Sequence, residues 1–226
     1  MPSQPAPPLA FLSPELRAHL VSARRLEERR GFRSSGIAWL DGILGGGWPR
    51  AALSELRGRR SSGRTAVLLA SLARAIAAGE TVALVDTGGT LDPRAAAAAG
   101  VTLPRLLWVR APAAQALKAA DLVIGAGGFD VVGLDLGDEP PRRVPTAAWI
   151  RLKHGAERQG TSILVATPGR AVGAFAAAAV ELSAAQPSFL TPGPLLFDGI
   201  RAQAFCERGR NEEEARCAWL AFTFRS

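Results

Sequence analysis

Tyrosine is absent from the 226 residues, and the chain has one methionine, two cysteines, two histidines and, against 25 arginines, only two lysines, Lys118 and Lys153. Each scarcity excludes something. Cys206 and Cys217 are separated by ten residues with no CxxC or Cys/His cluster, which rules out a disulfide framework and a structural zinc site. The two strands that carry them are expected to bring them near one another as thiols. His19 and His154 are far apart and neither accompanies a nucleophile-elbow serine or cysteine, so a hydrolase triad is not expected. Aromatic residues make up 6% of the chain and are barely interleaved with the arginines, which argues against a stacking platform for single strands. No apolar run approaches the roughly 20 residues of a membrane helix. The opening Met1-Pro2-Ser3-Gln4-Pro5 has no leader-like pattern, so a cytoplasmic location is expected.

What the chain has in quantity is alanine and arginine. Twenty-seven basic residues against 20 acidic ones give a net charge of +7 and a pI near 11.0, which makes polyanionic partners plausible. Residues 1–13, rich in proline, read as a flexible tail. A helix is expected over 14–30, capped by Ser13, with Pro14 in its first turn and Arg24, Arg25, Arg29 and Arg30 toward its C-terminal end. Together with Arg33 these arginines are candidate contacts to DNA or a partner protein. The alternative role for the cluster is to complete the helix dipole and pair with Glu27 and Glu28.

From Gly31 onward the pattern is α/β. Strands are expected at 52–57, 81–86, 106–110, 129–135 and 161–166, with helices at 64–78, 93–99, 112–124 and 145–158 between them. This is the alternation of a mainly parallel sheet covered on both faces. Arg201 to Glu207 and Arg216 to Phe224 read as two strands added antiparallel at the sheet edge, joined by a charged turn at 209–214. One core domain is expected over 31–226.

The strand ending at Arg57 runs into Gly58, Arg59, Arg60, Ser61, Ser62, Gly63, Arg64 and Thr65, and an Ala/Leu-rich helix follows at once. Strand, glycine-punctuated turn and helix form the layout of a phosphate-binding loop, in which successive backbone N–H groups surround a phosphate and a hydroxyl such as that of Thr65 holds Mg²⁺. Arg64 occupies the place of the usual lysine, and a planar five-donor fork does not fit the same slot as an ammonium. A Gly/Ser-rich turn between strand and helix is also common in α/β proteins generally.

Taken in order, Gly63-Arg64-Thr65, Val82 to Asp86, Leu91-Asp92-Pro93 and Phe129 to Asp135 resemble the RecA-like recombinase core over residues 31–183. The resemblance implies a three-layer fold. It also implies that a catalytic glutamate would fall at Gly88, an adenine-stacking aromatic at Ala95, and a γ-phosphate-sensing glutamine at Pro168, with a long DNA-binding loop thereafter shortened to almost nothing. Asp135 would match the aspartate that supports Mg²⁺, so Thr65 and Asp135 are the candidate metal residues; Asp135 could equally terminate a strand. The run Gly45-Gly46-Gly47-Trp48-Pro49-Arg50 ahead of this altered loop is similar to the ImuA family. That resemblance implies a non-catalytic accessory protein of DNA damage tolerance, recruited to the nucleoid at damage. Its partners would be RecA, an ImuB-like inactive relative of Y-family polymerases and an error-prone polymerase; no cofactor is expected, and any ATP/Mg binding would be weak. The alternatives are an active ATPase of the same class and a simple DNA-binding module.

Overall fold

The computed structural model describes residues 31–140, 144–183, 186–189, 197–208 and 216–223. The expected tail, the 14–30 helix with Arg24, Arg25, Arg29 and Arg30, and the 209–214 turn lie outside the described residues.

A nine-stranded sheet forms the centre. Its parallel part is built from β3 (Leu53–Gly58), β4 (Val82–Asp86), β5 (Leu106–Arg110), β6 (Val131–Asp135), β7 (Ser162–Thr167) and β8 (Ala178–Leu182). The order runs β8-β3-β7-β6-β4-β5, and beyond β8 the antiparallel strands β10 (Phe197–Arg208) and β11 (Arg216–Thr223) complete one edge, with β9 (Gln186–Phe189) also on β10. The sheet is thus mainly parallel with an antiparallel edge, as the pattern of the chain predicts. Its strands are apolar on both faces because both faces are covered. Val82 and Leu84 of β4, with Leu164 and Ala166 of β7, join one core cluster. Their neighbours Ala83, Val85, Ile163 and Val165 join the other.

Helix α2 (Arg64–Ala77) closes the first face with Val67, Leu68, Leu72, Ala75 and Ile76. Gly133 of β6 lies beneath it; a Cβ there would come within 3.1 Å of Leu84, 3.3 Å of Leu68 and 3.4 Å of Leu72. The absence of a side chain lets the helix approach the sheet closely. On this side too lie α1 (Ala38–Leu44) and α3 (Pro93–Ala98), which place Leu40, Leu44 and Ala96 in the core. Helices α4 (Ala116–Ala126) and α5 (Thr146–Gln159) cover the second face through Ala116, Ala120, Ile124, Trp149, Leu152 and Ala156.

A strand and a helix are among the elements that depart from the expected pattern. The sequence reading assigns no strand at β8, an Ala-Ala-Val-Glu-Leu segment, and no helix at α1. Both form because of what they pack on: β8 pairs parallel to β3, and α1 seats Leu40 and Leu44 with essentially no exposure. The glycine run that follows α1 is a junction. Gly45 caps α1 in the left-handed region (φ 73°), and a Cβ on Gly47 (φ 114°) would overlap the Arg33 carbonyl. This close approach lets β1 (Phe32–Arg33) pair antiparallel with β2 (Trp48–Pro49). Trp48 is buried, and its indole N–H donates to Ser71 Oγ at 3.0 Å, so it belongs to the core.

The C-terminal strands pair with Phe205 opposite Cys217 and Cys206 opposite Arg216. The two cysteines are one step out of register and are not cross-strand partners, a correction to the expectation that they face each other.

Candidate phosphate-loop site

Strand β3 carries Ser54, Glu55 and Arg57, and all three are buried. Glu55 Oε1 accepts the backbone N–H groups of Ala171 at 2.6 Å and Val172 at 2.7 Å, fixing the short loop after β7. Arg57 reaches Glu207 on β10, with Glu181 of β8 at 3.8 Å and Glu55 at 3.9 Å. Arg170 also donates to Glu207, at 2.9 Å. The Arg57 hydrogen bond, against some burial, holds the Glu207 carboxyl below its ordinary range. Arg57 therefore ties the parallel core to the antiparallel edge and adds no free positive charge to the loop.

The residues Gly58 to Thr65 do come together as a turn between β3 and α2. Ser61 has φ 62° and Gly63, the N-cap of α2, has φ 89°. Ser62 donates its N–H to the Arg59 carbonyl at 3.1 Å. Arg59, Arg60, Ser61, Gly63, Arg64 and Thr65 line one side of an open cleft; Thr90, Asp135, Gly137 and Asp138 line the other. Thr65 is exposed and Asp135 is buried.

Arg64 is 6% exposed. Its guanidinium donates to the Gly58 carbonyl at 2.6 Å, to the Gly137 carbonyl at 3.2 Å and to Asp138 Oδ1 at 3.2 Å. Exposed Arg60 donates to Asp138 Oδ2 at 2.8 Å. These two arginines, Arg60 foremost, hold the Asp138 carboxyl below its usual range. Burial pushes the Asp135 carboxyl above its usual range, and this outweighs the Gly137 N–H at 2.9 Å and the charge of Arg64, which both favour ionisation. Arranged this way, the loop is not set for a bound triphosphate: Arg64, which stands where a cation should meet the phosphates, is engaged by the protein itself. Among the described residues, no group of three or more His, Cys, Asp or Glu side chains is placed to hold a metal ion.

At the end of β4, Asp86 is committed to the backbone. It accepts from the N–H groups of Gly88, Thr90 and Leu91 at 3.2, 3.3 and 3.2 Å and from the Trp108 indole at 3.3 Å. Gly88 lies in a shallow depression with Gly89 and Arg110. Ala95 is exposed on α3, and Pro168 follows β7 directly.

Arg33 corrects the expectation of a solvent-facing contact residue. It is 6% exposed, donates to Glu80 at 2.7 Å and to Ser162, and lies 3.9 Å from Asp130. A buried guanidinium needs such partners, and they fasten β1 to the body. Asp138 and Glu55 are the residues that the sequence reading passes over. Asp138 is adjacent to Glu139 in an ordinary acidic pair, and Glu55 finds its partners more than a hundred residues away.

The family profile described as the RecA N-terminal domain matches residues 23–138. Protein RecA of Francisella tularensis subsp. novicida (strain U112) is 40% identical over 103 residues, covering 45% of this chain and 29% of that protein. Protein RecA of Francisella tularensis subsp. tularensis (strain SCHU S4 / Schu 4) matches to the same extent. The aligned stretch thus spans less than a third of these curated relatives. Among solved structures, the crystal structure of the RadB recombinase superposes with a TM-score of 0.62 at 20% identity, covering 85% of this chain and 96% of that one. With its α/β three-layer core, phosphate-loop turn and antiparallel edge, the chain belongs to the RecA N-terminal domain family.

Proposed function

We propose that this protein is a non-catalytic RecA-family accessory factor of DNA damage tolerance, similar to ImuA. In this reading it binds RecA and a translesion polymerase complex containing an ImuB-like subunit, restrains recombination and favours mutagenic lesion bypass. One observation carries the non-catalytic part: Gly88 stands where the resemblance places the water-orienting glutamate, and the neighbouring carboxylate, Asp86, has its oxygens taken by backbone and indole N–H groups. A γ-phosphate-directed water is then oriented by neither position 88 nor Asp86. The partners rest on the family resemblance, with the Gly45 to Arg50 run as its most specific part.

A body with the recombinase fold and an N-terminal arginine cluster would act by capping a RecA filament end without extending it. Capture of RecA and of the polymerase components by the full chain, repeated without residues 1–30, tests this. The reading expects RecA capture that weakens on deletion; full-length protein that captures neither partner overturns it.

A second reading, an ATPase that takes its water-orienting group from elsewhere, draws on Thr65 and Asp135 lining the same cleft. A nucleotide at 100 times its dissociation constant stabilises by about 2.7 kcal/mol. A shift of that size with MgATP, together with turnover lost in Arg64→Ala and Asp135→Ala, favours the ATPase.

A further inference from the structure

Asp138 lies three residues beyond the end of β6, in a loop separate from the phosphate-loop turn, yet two of the three arginines that line the cleft, Arg60 and Arg64, donate to it. Arg60 Nε meets Oδ2 at 2.8 Å and Arg64 Nη2 meets Oδ1 at 3.2 Å. A carboxylate and a phosphate present the same kind of oxygen acceptors to a guanidinium fork, so the two compete for it. Arg64 is additionally anchored by Gly58 and Gly137, and its buried Nε–H makes no hydrogen bond among the described residues. The guanidinium is therefore fixed at the helix N-terminus with a protein carboxylate on its outer side, where the cleft is open. Asp135 lines the same cleft, so an arriving anion meets two acidic side chains and two engaged cations beside exposed Arg59.

We propose that Asp138 is a built-in competitor of phosphate-bearing ligands: its carboxylate holds Arg60 and Arg64, and a phosphate group enters the loop by displacing it. The inference deepens the non-hydrolytic reading of this loop and rests on it, because a loop whose cations serve the protein first is one whose occupancy is regulated by that exchange. Removing the charge of Asp138 acts twice in the same direction, releasing two guanidinium groups and lowering the repulsion that an anion meets.

Inorganic pyrophosphate is the probe, titrated calorimetrically at low salt into the full chain and into Asp138→Asn and Asp138→Glu. Loss of hydrogen bonds between charged groups predicts that Asp138→Asn binds about tenfold more tightly than the parent. Asp138→Glu, which keeps the charge, stays within a factor of about three of the parent. Thermal melting verifies that each variant is folded, and Asp138→Ser replaces Asp138→Asn if the latter is not. Equal or weaker binding by the neutral variant overturns the proposal, as does the same tightening in Asp138→Glu, or no binding by any of the proteins at millimolar pyrophosphate. ATP turnover on the same samples separates the two ideas. Turnover by the parent removes the non-hydrolytic reading whatever the affinities, whereas unchanged affinities without turnover remove only the competitor role.

Discussion

Replacing Arg64 by alanine destabilises this protein in the absence of any nucleotide. In a phosphate loop whose cation serves the ligand, that substitution weakens binding and leaves the empty fold nearly untouched. Here the guanidinium is 6% exposed and bridges the Gly58 carbonyl, the Gly137 carbonyl and Asp138. Gly58 and Gly137 are both buried, so truncation strands two carbonyls, each at a cost of about 1–3 kcal/mol. The bond to partly exposed Asp138, which keeps Arg60, adds less than about 1 kcal/mol. Against these, the buried Nε–H has no hydrogen-bond partner among the described residues, and its removal returns about 1 kcal/mol. The balance is a loss of about 3 kcal/mol, or a melting temperature lower by ~6–12 °C for a domain of this size. Arg64→Lys keeps the charge but cannot reach both carbonyls with one ammonium, and loses about half as much. Urea and thermal unfolding in phosphate-free buffer measure both. An Arg64→Ala variant that melts within about 2 °C of the parent would refute the reasoning and make Arg64 a ligand-directed side chain.

Glu55→Gln removes the charge that holds the Ala171 and Val172 N–H groups and sets an amide beside Arg57; the expected loss is about 2 kcal/mol by urea unfolding. Trp48→Phe deletes the indole bond to Ser71 and costs about 1–2 kcal/mol, whereas Trp48→Ala, which opens a cavity, costs about 3–5 kcal/mol. Burial raises the proton affinity of Asp135, so its ionised form disfavours folding above that raised value. Asp135→Asn is therefore more stable than the parent at neutral pH, and the gap closes as pH falls through the raised value toward the ordinary carboxylate range. Asp138 and Glu207 have depressed values and work the other way. Their contribution is present above the ordinary carboxylate range and is lost as pH falls through their folded-state values, which stability measured against pH in Asp138→Asn and Glu207→Gln will resolve.

The parallel core was readable because its strands are runs such as Val82 to Asp86 and Ser162 to Thr167, apolar on both faces and spaced by Ala-rich helices. The five expected strands and four expected helices of that core form within a few residues of their expected bounds. β8 escaped because its alanines carry no strand preference, and only its pairing with β3 makes it a strand. α1 escaped because seven residues with an internal glycine give too short a period. The phosphate-loop turn was legible as local text from Gly58 to Thr65. Its electrostatics were not: Arg57, Arg59, Arg60 and Arg64 read as a local excess of positive charge, while Glu207 and Asp138, the carboxylate partners of Arg57, Arg60 and Arg64, come from distant strands and loops. Arg33 misled for the same reason, since Glu80 and Ser162 are not its neighbours in the chain.

The central proposal is that a RecA-family fold here, holding its phosphate loop with its own side chains, does not turn over nucleotide. Phosphate release from MgATP, with and without single-stranded DNA, tests it most directly, with Asp135→Ala as the background control. The account predicts that the parent releases phosphate no faster than that control. Release well above the control that also disappears in Arg64→Ala would contradict it.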